Sequence, residues 1–306
     1  MGARLIRVGT RASALARAQT QLVIAALRQA QPEVQVDIVP ISTGGDRSQH
    51  TNQPGPDWGS GVFVKEIEAA LLREDIDLAV HSLKDLPPLI AAELTLAAVP
   101  VRDDPADVLV TPEGRGLEDL APGARVGTSS ARRVAFLRAA RPDVQWLPVR
   151  GNVETRLRKL SEGQYEALVL ARAGLLRLDL EVPHVVLEPE LLPPAPGQGA
   201  LGLETRAGDR AVRDLVEPLH DPATGAAVRA ERRLMVLLEG GCRLPVGALG
   251  TPAPEGRLSL LGGLVDEDGA LAVDRLEGSL ADPEGVAERL ADDLRAAVLQ
   301  AAKVRV

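Results

Sequence analysis

The segment Val8-Gly9-Thr10 and its echo Val126-Gly127-Thr128 constrain this chain more than any other feature of its sequence. Each triplet ends an apolar run that reads as a strand (4–9 and 125–127) and opens a stretch of helical periodicity (13–30 and 130–140). A strand-to-helix turn of this kind aims backbone N–H groups and the positive end of the helix dipole at an anion. Around both turns the same alternation continues. Strands are expected at 34–38, 76–80, 94–99, 144–149, 167–170 and 201–204, and helices at 64–73 and 153–162. This pattern predicts a duplicated plan of parallel α/β architecture. Residues 42–61, rich in Gly, Pro, Asp and Asn, read as a long loop, and the Pro/Gly-crowded stretch 192–199 reads as a hinge or crossover. After Pro218 the pattern changes to a helix (223–238), a Gly-Gly-Cys turn, two or three strands (246–273) and a terminal helix (283–302), which predicts a small α+β domain.

Composition narrows the function. A chain of 306 residues has room for two or three domains, and its five aromatic residues leave the cores to Leu, Val, Ile and Ala. So few aromatics also make stacking platforms for bases unexpected. The net charge is -8, yet 31 of the 35 basic residues are arginine, whose planar fork grips carboxylate or phosphate through two hydrogen bonds. Between Ala121 and Leu160 the local net charge is +7, which points to a localised anion site rather than a nucleic-acid surface. The single cysteine, Cys242, excludes an internal disulfide framework, and residues 1–30 contain no unbroken apolar run, so a cytoplasmic protein is expected. His50, His81, His184 and His220 lack metal-ligand spacing, and no metal site is expected.

Four short constellations carry candidate chemistry. His81-Ser82-Leu83-Lys84-Asp85-Leu86-Pro87 follows a predicted strand, where open α/β sheets place ligand-binding groups. Asp85 there could stabilise a developing cation or accept and return a proton, although Lys84 and Asp85 read equally well as a solvated loop pair. Thr128-Ser129-Ser130-Ala131-Arg132-Arg133 offers hydroxyls and two guanidiniums at a helix N-terminus. A simple cap explains the hydroxyls but not two cations at the positive end of a dipole without an anion. Arg150-Gly151-Asn152-Val153-Glu154-Thr155-Arg156 has the same character, with Gly151 allowing close approach to the backbone. An ordinary i,i+4 pair between Glu154 and Arg158 is the competing reading. Glu239-Gly240-Gly241-Cys242-Arg243 sets the only thiol in an open turn beside a cation, which favours a reactive thiolate. A lone cysteine is equally readable as a small apolar core residue.

Taken in order, VGTRASALARAQ (from Val8), STGGDR (from Ser42), DLAVHSLKDLP (from Asp77), GTSSARR (from Gly127), RGNVETRLRKL (from Arg150), PGQGALGLE (from Pro196) and ERRLMVLLEGGCRLPVG (from Glu231) resemble the hydroxymethylbilane synthase, or porphobilinogen deaminase, family over nearly the whole chain. The resemblance implies an α/β fold of two periplasmic-binding-protein-like lobes with a cleft between them, plus a small C-terminal α+β domain. The implied boundaries are 1–99 with 198–217 for a discontinuous first lobe, 104–193 for the second, and 218–306 for the domain carrying Cys242.

The resemblance also implies that Cys242 holds a dipyrromethane cofactor through a thioether. Four porphobilinogen units are then added head to tail with loss of ammonia, through a cationic azafulvene, before hydrolysis releases the linear tetrapyrrole. Asp85 matches the family's catalytic carboxylate. Ser82, Lys84, Asp85, Thr128, Ser130, Arg132, Arg133, Arg150, Gly151 and Arg156 match cofactor contacts, and Arg11, Ser13, Gln19, Phe63, Arg150, Arg156 and Arg177 match substrate contacts. Each pyrrole brings an acetate and a propionate, so the arginine bias answers a growing number of carboxylates. One departure stands out. The family usually reads Gly-Gly-Lys-Gly ahead of the lid aromatic, whereas Trp58-Gly59-Ser60-Gly61-Val62-Phe63 lacks the lysine, and Arg47 or no residue is expected to replace it. The expected partners are porphobilinogen and the growing oligopyrrole, with no nucleic acid and no membrane, and the chain is expected to be a monomer. The rival reading is a non-catalytic two-lobed anion-binding protein with no covalent adduct.

Overall fold

The structure, a computed structural model, describes residues 5–42, 64–239 and 244–304. The chain divides into two compact units, Met1–Asp103 with Ala200–Gly225, and Asp104–Gly199 with Ala226–Val306.

The first unit is built on β1 (Leu5–Arg11), α1 (Ala14–Ala30), β2 (Gln35–Ile41), α2 (Lys65–Leu72), β3 (Leu78–Ser82), β4 (Leu94–Ala98) and, from the returning segment, β10 (Leu201–Arg206). The sheet order is β2-β1-β3-β10-β4. Helix α1 starts where Ser13, in extended backbone, accepts a hydrogen bond from the Ala16 N–H. It buries Thr20, Val23, Ile24 and Leu27, an i, i+3, i+4, i+7 stripe. Val23 and Leu27 pack on Ile6, Val8, Leu78, Val80 and Leu203 of the sheet. Ile67, Ala70 and Leu71 of α2 form a second cluster with Ile76, Ala79 and Leu94.

The second unit repeats this plan. Its strands β5 (Asp107–Val110), β6 (Arg125–Gly127), β7 (Gln145–Leu147), β8 (Ala167–Ala171) and β9 (His184–Leu187) form a sheet in the order β7-β6-β8-β5-β9. Helices α3 (Ala131–Ala140), α4 (Val153–Ser161) and α5 (Arg172–Arg177) connect them. In both sheets the first three strands of the order are parallel, and the fourth runs antiparallel to its neighbours. The echoed glycines have one physical reason. A Cβ on Gly9 would lie 2.3 Å from Ile76, and one on Gly127 would lie 2.6 Å from Leu168. Only glycine lets the chain pass the adjacent side chain before it turns into the helix.

The α/β class is as expected, but the sheets are mixed rather than wholly parallel. The antiparallel strand of each is the first one formed after the chain crosses between units, β5 after residue 103 and β10 after residue 199. Strands β5 and β9 and helices α5 and α6 (Arg210–Val216) fall outside the expected elements. Each is seven residues or fewer, and β5 and β9 are short apolar runs without a period of their own.

Within the second unit, β11 (Val246–Ala253), β12 (Arg257–Val265) and β13 (Leu271–Ser279) form an antiparallel sheet. It is covered by α7 (Pro222–Glu239) and α8 (Pro283–Val304) through a Leu- and Ala-rich core. Its last strand runs on to Ser279, past the expected end at 273. Phe136 of α3 joins Val265 and Leu271 in one cluster, so this sheet and the second five-stranded sheet share apolar packing. Glu231 reinforces the junction. Fully buried, it accepts the Gly197 N–H at one carboxylate oxygen and the Gly250 N–H at the other, both at 2.7 Å.

Hydrogen bonds to a buried charged group contribute about 1.5–3 kcal/mol each. Glu231→Gln keeps the volume but turns an amide NH2 toward one of the two N–H groups. Denaturant unfolding of this variant should show a stability loss of roughly 2–3 kcal/mol. An unchanged midpoint would mean that the junction does not depend on this carboxylate.

Candidate active site

In the first unit, the C-terminal ends of β1 and β3 and the start of α1 surround a pocket lined by Arg11, Ser13, Gln19, His81, Ser82 and Asp85 over an apolar base that includes Val64, Ile67 and Val80. This is the end of the sheet where α/β folds bind ligands. Gln19, 4% exposed on α1, donates from Nε2 to the Ser82 hydroxyl at 2.8 Å and so ties the helix to the end of β3. Lys84 and Asp85 then occupy a 3-10 turn, Leu83–Asp85. Its first residue is held by a hydrogen bond from the Leu83 N–H to the Ala200 carbonyl. Five of the residues singled out from the sequence (Arg11, Ser13, Gln19, Ser82 and Asp85) therefore share one pocket.

In the second unit, two strand-to-helix turns lie side by side. Ser130 caps α3 by accepting the Arg133 N–H, and Asn152 caps α4 by accepting the Thr155 N–H. The buried Thr128 accepts the Ser130 N–H, and its own N–H donates to the Leu147 carbonyl. Ser129 joins the turns, donating from its hydroxyl to the Val149 carbonyl and accepting the Val149 N–H. Gly151 has φ +112°, a region L side chains rarely adopt, so the backbone itself demands glycine there. The Gly151 carbonyl accepts Arg156 Nε at 2.8 Å, and the Arg150 carbonyl accepts Lys159 Nζ at 3.2 Å. Arg177, at the end of α5, donates to the Gly199 carbonyl.

Arg132 and Arg133 are 7% and 6% exposed, and the anion that two such cations require is supplied by the chain itself. Asp107, at the start of β5, receives Arg132 Nη2 at 2.7 Å on one oxygen. Its other oxygen receives Arg133 Nη2 at 2.6 Å and Arg133 Nε at 3.1 Å. Gln198 Nε2 adds a bond at 3.0 Å, Arg132 Nη1 donates to the Pro193 carbonyl, and Arg133 Nη1 donates to the Val169 carbonyl. Burial opposes ionisation of Asp107, but the Arg132 and Arg133 charges and the Arg132 and Gln198 hydrogen bonds outweigh it and hold the carboxyl well below the usual carboxylate range. The positive stretch 121–160 is further offset by Glu166, which pairs with Arg125.

Sequence reasoning passed over Asp107 and Gln198. The one signal for Asp107 was an acidic residue opening an apolar run, Asp107-Val108-Leu109-Val110. Phe63, Arg47 and Cys242 lie outside the described residues.

Removing the carboxylate from two buried guanidiniums is costly, so Asp107→Ala should lower stability by about 3–5 kcal/mol in denaturant titration. Because the folded state depresses this acid, its stabilisation is complete above about pH 5 and is lost as pH falls below about 4. The Asp107 variant should therefore show a shallower acid limb of stability than the wild type. Equal acid limbs would show that Asp107 is not the linked group.

Residues 6–214 match the model "Porphobilinogen deaminase, dipyromethane cofactor binding domain", and residues 226–296 match "Porphobilinogen deaminase, C-terminal domain". A porphobilinogen deaminase of Roseiflexus castenholzii is 49% identical over 293 residues, covering 94% of this chain and 95% of its own. One from Roseiflexus sp. strain RS-1 is 48% identical, covering 94% of each chain. Among solved structures, a periplasmic substrate-binding protein of an ABC transporter from Coxiella burnetii is similar over 71% of this chain and 92% of its own, at 17% identity and a TM-score of 0.45. The near-complete coverage by enzymes disfavours a non-catalytic anion-binding module. With both family models spanning almost all of the described residues, the chain belongs to the porphobilinogen deaminase family.

Proposed function

We propose that this chain is a hydroxymethylbilane synthase. It joins four porphobilinogen molecules head to tail on a dipyrromethane primer, releasing ammonia and a linear tetrapyrrole. The observation that carries this reading is the pocket of the first unit, where Asp85 shares one concavity with Arg11, Ser13, Gln19 and Ser82. A pyrrole offers ring N–H groups to a carboxylate and its acid side chains to cations and hydroxyls, which is the donor and acceptor set this pocket holds.

The primer carries several carboxylates, and the paired turns of the second unit suit it chemically. They combine two capped helix N-termini, the hydroxyls of Thr128 and Ser130, the Gly151 backbone and the guanidiniums of Arg132, Arg133, Arg150 and Arg156. When bound, this group supplies the carbon to which each new ring is joined. Asp85 stabilises the positive charge that develops when the aminomethyl group of the substrate loses ammonia, and it holds and returns protons at the ring nitrogens. Ser82 and Lys84 flank it, and Ser82 is oriented by Gln19. Arg11, Ser13, Gln19, Phe63, Arg150, Arg156 and Arg177 take the acetate and propionate groups of the incoming substrate and the lengthening chain. Cys242 carries the primer as a thioether.

The functional division follows the implied boundaries: lobes 1–99 with 198–217 and 104–193, and an attachment domain 218–306. The protein works in the cytoplasm as a monomer, and light scattering of the purified enzyme tests the latter. Among the described residues, no helix is long and apolar enough to cross a membrane.

Intact-mass measurement tests the tether. The purified enzyme should exceed its sequence mass by one dipyrromethane, and Cys242→Ser should lose the increment and its activity together. An active enzyme of unmodified mass would refute the assignment of Cys242. Asp85→Asn should keep the fold and the primer while turnover falls at least about 100-fold, the scale of a lost acid/base group. Near-normal turnover would refute the role given to Asp85.

A further inference from the structure

The pocket of the first unit has a second acid/base group in its wall. His81, the fourth residue of β3, lines the same pocket as Ser82 and Asp85. It pairs across the ladder with Gly202 of β10, and Glu204 lies two residues further along that strand, on the same face of the sheet. His81 Nε2 and Glu204 Oε2 are 2.9 Å apart. The ladder between β10 and β4 shifts register between Leu203 and Glu204, and irregularities of this kind re-aim side chains near functional sites.

This arrangement is an expensive one for a fold to keep. Glu204 is fully buried, its Oε1 has no hydrogen-bond partner among the described residues, and its strand neighbour Leu203 and ladder partner Ala79 are apolar. An apolar side chain would satisfy packing at lower cost. A carboxylate on one imidazole nitrogen does something an apolar residue cannot. It fixes the tautomer and supports positive charge on the ring. With Nε2 engaged, Nδ1 is the ring nitrogen that makes no hydrogen bond among the described residues. The other charged groups around the pair are Glu68 and Lys65 on α2 and Arg11 and Asp85 in the pocket. The Glu68 carboxyl is pushed up by burial and by the negative charge of Glu204, and it is pulled back by His81 and Lys65.

Building on the function proposed above, we propose that His81 Nδ1 is a proton acceptor of this pocket and that Glu204 is the positioning residue that holds its ring. Each addition breaks the C–N bond of the substrate's aminomethyl group and forms a C–C bond to the free α-carbon of the terminal ring. The α-carbon must then lose one proton. His81 takes that proton on Nδ1 while Nε2–H stays on Glu204, and it then gives the proton up to the ammonia already expelled in the C–N cleavage, so that the released nitrogen ends as ammonium. Asp85 steadies the cation at the ring nitrogens, so the two residues do different work.

The test uses primer-loaded enzyme and two variants, Glu204→Gln and the double variant His81→Phe/Glu204→Leu, which removes the pair without leaving a buried charge. Primer loading is read by intact mass, folding by Tm, and turnover with porphobilinogen and with porphobilinogen deuterated at its free α-position. For Glu204→Gln, kcat should fall about 10–100-fold, the scale seen when a metal-bound imidazole loses the carboxylate that orients it, with KM within about twofold. The isotope effect on kcat should rise, because proton loss becomes rate-limiting. The double variant should be folded and primer-loaded but slower still. A kcat within about twofold of wild type in either folded variant would overturn the proposal, as would a loss that leaves the isotope effect unchanged or that only follows Tm. Wild-type enzyme that consumes no porphobilinogen would instead remove the underlying function.

Discussion

The buried carboxylate of Asp107 is the interaction on which the second unit depends. Through Arg132 and Arg133 it connects the start of β5 to α3, through their remaining N–H groups to the Pro193 and Val169 carbonyls, and through Gln198 to the Pro/Gly segment. Two guanidiniums buried without it would carry a desolvation cost no surface pair could offset. The same contacts that make the unit rigid also hold its two arginines in one fixed orientation at the head of α3. Stability and site geometry are therefore set by a single acid.

The two five-stranded sheets share strand order and strand sense, and this repetition explains why corresponding turns perform corresponding tasks. Ser13 and Ser130 cap equivalent helices, and Gly9 and Gly127 clear equivalent side chains. The units differ in what their turns were given to hold. The turn of the first unit faces a pocket with Asp85, while that of the second is anchored on Asp107 and extended by the adjoining Arg150–Arg156 turn.

Much of the architecture was legible from periodicity. The helices at 14–30, 65–72, 131–140 and 153–161 lie within a residue or two of where apolar spacing and the caps put them. The short strands β5 and β9 were not legible, because four apolar residues have no period to read. The mixed sense of the sheets was equally hidden, since parallel and antiparallel strands carry the same local pattern and differ only in where the chain comes from. For the sites, motifs flagged the residues of the first pocket, and that structure gathers five of them. The arginine pair was read as needing an anion. The anion proved to include Asp107, distant by 25 residues and marked by no motif.

The sequence alone therefore determined the α/β class, the duplicated strand-to-helix turns and the chemical types gathered at them, because capping, helical periodicity and glycine at a close crossing are local properties. Only the tertiary structure decided which charges meet. Arg132 with Asp107, His81 with Glu204 and Glu231 with two separate backbone amides join residues from 19 to 123 positions apart. Burial makes each of these pairings strong, and burial is a property of the folded packing that no stretch of chain possesses by itself.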